Sequence, residues 1–523
     1  MTPIPLISTP PAQRDTALSW KLVLLLIALL GFRLWYAGFR QLVPDEAFYW
    51  TWTRHLAGGY FDHPPMIAWL MWLSTRLLGD NEFGVRFFAV LMSFGALAIF
   101  LRITARLLAD ARATAFVAAL LLTSPMFLLV ATIFTPDSPA IFFSACALAC
   151  AVDVGDERRN PRLDPARWLA FGAFCGLALL SKYTTILLPA AIFWALLTTP
   201  HGRAHLRRPW IYLAAALALA VFSPTIYWNY THDFASFRWQ LGHGLSSGDG
   251  AEASGKRGGL LQHVLNAGKF IAGQAGLWTP VLFVLGVAVL IHYWRRYRRI
   301  DLRLAMLLWT ATLTIVFFGY AFAKSGRGEI NWTDFAYWPL ALLTAAYLTE
   351  NWTGQRVRIA QIGCALALAI TLTLHVPELL ARFGVPKMDE PFGWRELGNQ
   401  LSDLPAGVPI FTTRHQDAGE AAFYMRGHPD VWCTRLEGAR PTSFDYYPNQ
   451  PNIEALPEML LMAYPPKVKL FCQRYGFVQS WQKTFTVNLF KHQRSRTVTM
   501  LVRENPPARP PSNGEDQAGM SHP

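Results

Sequence analysis

The sequence predicts a polytopic α-helical membrane protein with a small α/β domain after its last apolar segment. Three observations predict this. Of 523 residues, 53% are hydrophobic and only 15% are charged, with a mean hydropathy of +0.23, a balance typical of membrane proteins. Before residue 377 about eleven apolar runs approach the ~20 residues that cross a bilayer. Arginines cluster in alternate connections between those runs, as the positive-inside rule requires.

Taken in order, residues 1–20 are polar and contain prolines, and the run from 21 to 39 is long enough to persist as a span. It reads as a first transmembrane helix, not a cleaved leader. Further spans fall at roughly 86–107, 114–133, 139–152, 168–181, 184–199, 210–227, 270–292, 303–322, 334–349 and 357–376. The runs at 139–152, 168–181 and 184–199 are short for a straight crossing, which fits broken or tilted helices lining a cavity. Arg102, Arg106 and Arg112 mark one cytoplasmic connection; Arg158, Arg159, Arg162 and Arg167 mark the next. Arg203, Arg207 and Arg208, then Arg295, Arg296, Arg298 and Arg299, then Arg356 and Arg358 mark the others. The N-terminus is then cytoplasmic and the opposite loops are periplasmic. The net charge of +13 is distributed through these short clusters, which argues against a nucleic-acid partner.

Past residue 376 the chain turns soluble-like. Residues 408–412, 430–436 and 496–502 read as strands and 418–425 as a short helix. A periplasmic α/β domain is therefore expected over 377–504, following a membrane module over 1–376. A disordered tail is expected over 505–523, where Pro, Gly, Ser and Asn prevail. Six cysteines without a CxxC do not make a disulfide scaffold. Cys433 and Cys472 would pair only if their region faced an oxidising compartment.

The loops opposite the arginine clusters hold the residues with a chemical character. The richest is Pro44 to Pro65, P-D-E-A-F-Y-W-T-W-T-R-H-L-A-G-G-Y-F-D-H-P-P. Pro44 starts a helix, Asp45 is placed to cap it, and Gly58-Gly59 should end it. Pro65 fits the first turn of a second helix reaching Leu78, too short to span and so expected in the interface. Thr135-Pro136-Asp137-Ser138-Pro139, Ser181-Lys182-Tyr183, Tyr227 to Gly259, and Lys324 to Trp332 share that side. Taken singly, a carboxylate at a helix start is usually a cap and a terminal lysine usually snorkels. Five such loops on one face point to a shared site. The Gly/Ser-rich stretch 242–259 reads equally as a mobile lid and as a connector.

Ionisable groups at helix ends beside a bilayer suit a substrate with a lipid tail and a charged head, such as a lipid-linked sugar phosphate. Lys182, Lys324 and Arg327 would hold its phosphate. A carboxylate among Asp45, Glu46 and Asp137 would take the proton of the attacking acceptor hydroxyl. Polyprenyl phosphate leaves as a stable anion, so one base and a cationic clamp suffice.

Pro44-Asp45-Glu46-Ala47-Phe48-Tyr49-Trp50, followed by Tyr60-Phe61-Asp62-His63-Pro64-Pro65-Met66, resembles the first outer loop of family 39-type glycosyltransferases. These belong to the GT-C class, with protein O-mannosyltransferases and the lipid A aminoarabinose transferase as relatives. Residues 135–139, 181–183, Asn331-Trp332 followed by Tyr337-Trp338-Pro339, and 391–398 carry the resemblance onward. It implies a GT-C fold and inverting transfer of one sugar from a polyprenyl-phosphate donor. It assigns Asp45 as the base and Asp137 as a second acidic position, with Tyr60, Asp62, His63, Lys182, Tyr183, Lys324, Arg327, Asn331 and Trp332 around the substrate. In the aminoarabinose branch a lysine that meets phosphate stands where this chain has His63, a departure that argues against that activity itself.

No cofactor is required by this reading. A divalent metal is left open, with Asp45, Glu46 and Asp137 as its ligands if they converge. The acceptor is a lipid, glycan or protein. The rival functions are a transporter or flippase of lipid-linked sugars, which needs ionisable groups near the midplane, and an oligosaccharyl transferase or polysaccharide ligase.

Overall fold

The computed structural model describes residues 20–245, 259–326, 328–350, 352, 354–385, 388–436, 439–490 and 492–503. Arg327, the tail over 505–523 and most of the Gly/Ser-rich stretch lie outside them. Two compact units divide at Phe392/Gly393, later in the chain than the drop in hydrophobicity at 376.

Among its described residues the first unit is built of helices and their connections. Its helices are α1 (Trp20–Phe39), α2 (Pro44–Trp52), α3 (Met66–Leu78), α4 (Glu82–Leu108), α5 (Ala111–Thr123), α6 (Pro125–Val130), α7 (Asp137–Val154), α8 (Asp164–Ser181) and α9 (Leu187–Thr198). There follow α10 (Pro200–Leu206), α11 (Trp210–Thr231), α12 (Ala235–Leu245), α13 (Leu260–Trp278), α14 (Pro280–Arg295), α15 (Leu302–Ser325), α16 (Asp334–Thr349), α17 (Gln355–Leu374) and α18 (Pro377–Arg382). Among the described residues seven helices are long and apolar enough to cross a membrane, or nine if each of two bent pairs counts as one span. The chain is a multi-pass membrane protein. The expected span at 270–292 is two helices, α13 and α14, meeting at 108°. The expected 114–133 is broken between α5 and α6, and α9 turns through 115° into α10.

These breaks share a local cause. Ser124, Thr199 and Thr279 each precede a proline at the first helical position, and each side chain accepts a backbone N–H from the new helix. Proline at that position costs no hydrogen bond and is preset for the helix, while the capping oxygen satisfies a donor left open by the break.

The core lies where α4, α5, α7, α8, α15 and α16 face one another. Phe100, Trp168, Trp338 and a run of alanines and leucines are essentially unexposed there. α8 and α11 approach so closely that a Cβ at Gly172 would lie 2.2 Å from the Ala214 carbonyl oxygen.

The second unit is a five-stranded sheet with helices. Strands β1 (Ile410–Thr412), β2 (Val431–Cys433), β3 (Glu458–Met462), β4 (Val478–Asn488) and β5 (Gln493–Val502) lie in the order β2-β1-β3-β5-β4. β1 pairs parallel with β2 and β3, and β5 antiparallel with β3 and β4. Helices α19 (Trp394–Leu401), α20 (His415–Tyr424) and α21 (Pro465–Tyr475) complete it. Strands β1, β2 and β5 and helix α20 were legible in the sequence. β3 and β4 were not, because Met459–Met462 is continuously apolar and β4 is mostly exposed. Cys433 and Cys472 are free thiols. Burial pushes the Cys433 thiol up to about 12, so it is inert packing.

Candidate active site

The α1–α2–α3 connection is built on an ion pair. Glu46 is completely buried and Arg86, in the first turns of α4, is 2% exposed. The guanidinium grips the carboxylate in a fork, Nε to Oε1 at 2.8 Å and Nη2 to Oε2 at 2.5 Å. Arg86 also donates to the carbonyls of Ala37, Arg40 and Gln41 at the end of α1. Glu46 Oε2 accepts the Val43 N–H at 3.0 Å, capping α2. Its Oε1 accepts the Phe134 N–H at 2.8 Å. One carboxylate thus fastens α1, α2, α4 and the loop that runs through Thr135-Pro136 into Asp137. Glu46, expected among the catalytic or metal-binding carboxylates, is instead fully engaged by these four donors. Capping of α2 also falls to Glu46, not to Asp45, because the helix begins one residue earlier, at Pro44. Asp45 is left as the exposed carboxylate of that first turn.

The rest of the loop is an aromatic knot. Helix α2 ends at Trp52, well short of Gly58, because its last residues turn into tighter bonds: His55 N–H donates to the Trp52 carbonyl. Tyr60 stacks on Trp52 with centroids 4.2 Å apart. The Tyr60 hydroxyl accepts the Ala57 N–H, and its single proton is shared between the carbonyls of His55 and Trp52. Burial pushes the phenol up, and Tyr60 is 2% exposed. It pins the loop, contrary to the expectation that it contacts substrate. Gly58 and Gly59 serve close approach, not helix termination. A Cβ at Gly58 would lie 2.7 Å from the Pro224 carbonyl oxygen, and one at Gly59 3.1 Å from the Trp228 ring. Helix α12 holds the far side: Gln240 donates to the Asp62 carbonyl at 2.6 Å and Trp239 packs on Phe61. Asp62 is buried, and His63 sits half-exposed against the Tyr49 ring.

Beyond Asp137 lies a cleft. Asp137 opens α7, and the extended Lys182 that ends α8 places its Nζ 2.5 Å from Asp137 Oδ1. Both side chains keep some exposure, 17% and 13%. Thr184, Thr185, Phe318, Trp332 and Asp334 join them around a narrow cleft that opens to solvent. Asp334 was not singled out in the sequence, where an aspartate at a helix start reads as a cap. It begins α16 and is 3% exposed. Gln274 fixes this wall from α13, donating to the Ile330 carbonyl and accepting from the Thr333 and Tyr337 hydroxyls.

The structure therefore brings Asp137, Lys182 and Trp332 together, and ties Asp45 to the same end of the bundle through Glu46 and Phe134. It does not bring the other candidates into the cleft. The Tyr183 hydroxyl meets Ser236 at 2.9 Å and Asn229 at 3.5 Å, which docks α11 and α12. Lys324 is exposed in the last turn of α15, and Asn331 lies outside the cleft lining. Among the described residues no three His, Cys, Asp or Glu side chains converge as a metal site, so Asp45, Glu46 and Asp137 do not form a preassembled one.

Comparison with known proteins places this architecture. The family model described as dolichyl-phosphate-mannose-protein mannosyltransferase matches residues 62–228. The lipid A galacturonosyltransferase RgtD of Rhizobium johnstonii is 29% identical over 411 residues, 76% of this chain and 82% of that protein. The lipopolysaccharide core galacturonosyltransferase RgtB of the same organism is 30% identical over 235 residues, 44% of this chain and 46% of that one. The chain is a membrane glycosyltransferase with the GT-C fold. The fold of the transferase matches crystal structures of ArnT from Cupriavidus metallidurans over 92% of this chain and 98% of that one. The apo form gives a TM-score of 0.61 at 18% identity, and the form bound to undecaprenyl phosphate 0.63 at 16%.

Proposed function

We propose that this transferase moves one sugar, with inversion, from a polyprenyl-phosphate donor to a hydroxyl of a lipid acceptor at the periplasmic face of the cytoplasmic membrane. The observation that carries the reading is the pairing of a half-buried ammonium, Lys182, with Asp137 in a cleft whose Asp137 loop is tied to the Asp45 turn by the Phe134 N–H bond to Glu46. RgtD, named for action on lipid A, and the ArnT structure with undecaprenyl phosphate support the substrate classes.

In this mechanism Asp45 accepts the proton of the acceptor hydroxyl as its oxygen attacks the anomeric carbon from the face opposite the leaving group. The bond from that carbon to the phosphate oxygen breaks and its electron pair stays on the phosphate. Lys182 stabilises that charge from its place in the cleft. Arg327 is a further cation the sequence offers to the phosphate, and His63 a further hydrogen-bonding group. Asp137 orients Lys182, and Trp332 gives the sugar a flat apolar wall.

Transport is disfavoured by how the buried cations are used. Arg33 and Arg86 lie inside α1 and α4, but Arg33 donates to the Thr132 hydroxyl and Arg86 is locked on Glu46. Fixed partners of this kind make scaffold, not a pathway.

The test is release of free polyprenyl phosphate by purified protein in detergent, followed by mass spectrometry. The donors are a panel of polyprenyl-phosphate monosaccharides (a uronic acid, an amino-pentose and neutral hexoses), with lipid A as acceptor and with or without chelator. Sugar-dependent release with labelled lipid A as product is the expected result; no release with any donor defeats the reading. Lys182→Ala should raise the donor KM about 10–100-fold, the loss of one charge-assisted contact of ~1.5–3 kcal/mol. An unchanged KM removes Lys182 from the donor site.

A further inference from the structure

Residues 133–137 border two cavities. At one end Asp137 lines the donor cleft. At the other, Ile133 lines a second cavity of about 210 Å³, set against α6, the ends of α1 and α17, and residues 388–392. Val43, two residues before Asp45, lines it as well, and two residues span at most about 7 Å of chain. The walls are mostly apolar, with Leu128, Leu129, Ile133, Leu374, Met388 and Phe392. Apolar cavities of about 150 Å³ stay dry and take up apolar ligands. The polar lining comes mainly from the last turn of α1 and the two residues after it, as Tyr36, Arg40 and Gln41. Arg86 is there too, with its charge held by Glu46.

Arg40 is held less firmly than Arg86. It lies over the Tyr36 ring at 5.3 Å, donates to the His375 carbonyl at 3.1 Å and pairs with Glu378. The Glu378 side chain is 32% exposed, and the pair leaves Arg40 Nε and Glu378 Oε2 buried without hydrogen bonds. A pair this open is worth little, so the guanidinium is able to turn to a phosphate, which it grips with two parallel bonds. Apolar walls that end at a guanidinium complement an acyl chain that ends in an anionic head. Inversion adds a requirement of place. The acceptor approaches the anomeric carbon from the face opposite the phosphate, so it needs a site separate from the donor cleft and within reach of Asp45. We propose that this second cavity is the lipid pocket of the acceptor: an acyl chain lies against Leu129 and Leu374, and the anionic head of the same lipid meets Arg40. The inference rests on the reading above that Asp45 serves a lipid acceptor.

The experiment measures acceptor KM for lipid A, and binding of polyprenyl phosphate, on the full-length protein in detergent. Leu129→Trp and Leu374→Trp fill the cavity from two walls. Each should raise the lipid A KM about tenfold or more and leave polyprenyl phosphate binding within about twofold. An unchanged acceptor KM in both, or an equal loss of polyprenyl phosphate binding, overturns the proposal. Arg40→Gln should raise the KM for phosphorylated lipid A about tenfold, the loss of one charge-assisted contact, and that for dephosphorylated lipid A much less. Equal effects on the two acceptors overturn the role of Arg40. A measurement on the wild type needs no variant to fold. Lipid A carrying a diazirine in one acyl chain should label peptides of α6 and α17, and excess lipid A should suppress the label where phosphatidylethanolamine does not. Labelling elsewhere, or equal suppression by the phospholipid, overturns the pocket. The two readings fail separately. No release of polyprenyl phosphate by wild type with any donor defeats the transfer reading, whereas normal transfer with an unchanged acceptor KM in both tryptophan variants defeats the pocket alone.

Discussion

Asp45→Asn should lower turnover by about 10²–10⁴, the range for removing a positioned general base, while donor affinity stays within about twofold. The split follows from how the α1–α2 connection is built. Asp45 is the exposed carboxylate of the first turn of α2, and the bonds that hold the turn belong to its neighbour Glu46. Asparagine keeps the shape and removes the ability to take a proton, while the Glu46–Arg86 pair that fastens the turn stays in place. Asp137→Asn provides the contrast. That change strips Lys182 of its partner at 2.5 Å and should alter donor KM as well as kcat. The measurements are donor binding and release of polyprenyl phosphate for each variant. Near-normal turnover in Asp45→Asn would remove Asp45 from the base role and turn attention to Asp137.

Much of this arrangement is legible in the sequence, and the rest is hidden from it for identifiable physical reasons. Apolar runs report burial in lipid or core, so α1, α4, α7, α8, α11, α15 and α17 follow from hydropathy alone. Hydropathy is blind to backbone direction, because an apolar window reads straight through a break. Hence the expected 270–292 concealed the 108° bend between α13 and α14. A signal was present: Ser124-Pro125, Thr199-Pro200 and Thr279-Pro280 all pair a capping hydroxyl with a proline at the first helical position. It is not sufficient alone, since Ser223-Pro224 sits inside the continuous α11.

At the site, sequence supplied the residue types and not their division of labour. Asp45 and Glu46 are adjacent and chemically alike, yet helical geometry turns one outward and drives the other onto Arg86. No local pattern announces an arginine forty positions away as its partner. Tyr60 looked like a sugar ligand because it is aromatic and lies beside Asp62 and His63; its hydroxyl is engaged by the backbone of its own loop. Asp334 went unnoticed because its significance comes from burial beside Lys182, a relation between α16 and the end of α8 that only tertiary packing creates.

Truncation of the Glu46–Arg86 pair should have the second large effect, on folding as well as rate. Glu46→Ala leaves a guanidinium buried at 2% exposure without its carboxylate, and breaking a buried pair from one side costs about 3–5 kcal/mol. It also orphans the N–H groups of Val43 and Phe134, each worth about 1–3 kcal/mol when left unsatisfied. The protein should accumulate poorly and melt at a markedly lower temperature in detergent. Replacing both partners, Glu46→Leu with Arg86→Met, separates the two roles of the pair. Apolar replacement of a whole buried pair is often neutral for stability, so the double variant should recover much of the melting temperature lost by Glu46→Ala. Activity should not recover with it, because the bond from Glu46 to Phe134 that ties the Asp45 turn to the Asp137 loop is still absent. Misplacement by about 1 Å is enough to cost about a hundredfold in rate. A double variant that regains turnover together with stability would show that the pair only holds the fold. A stable but slow one would make Glu46 the residue that sets the base and the donor cleft in register.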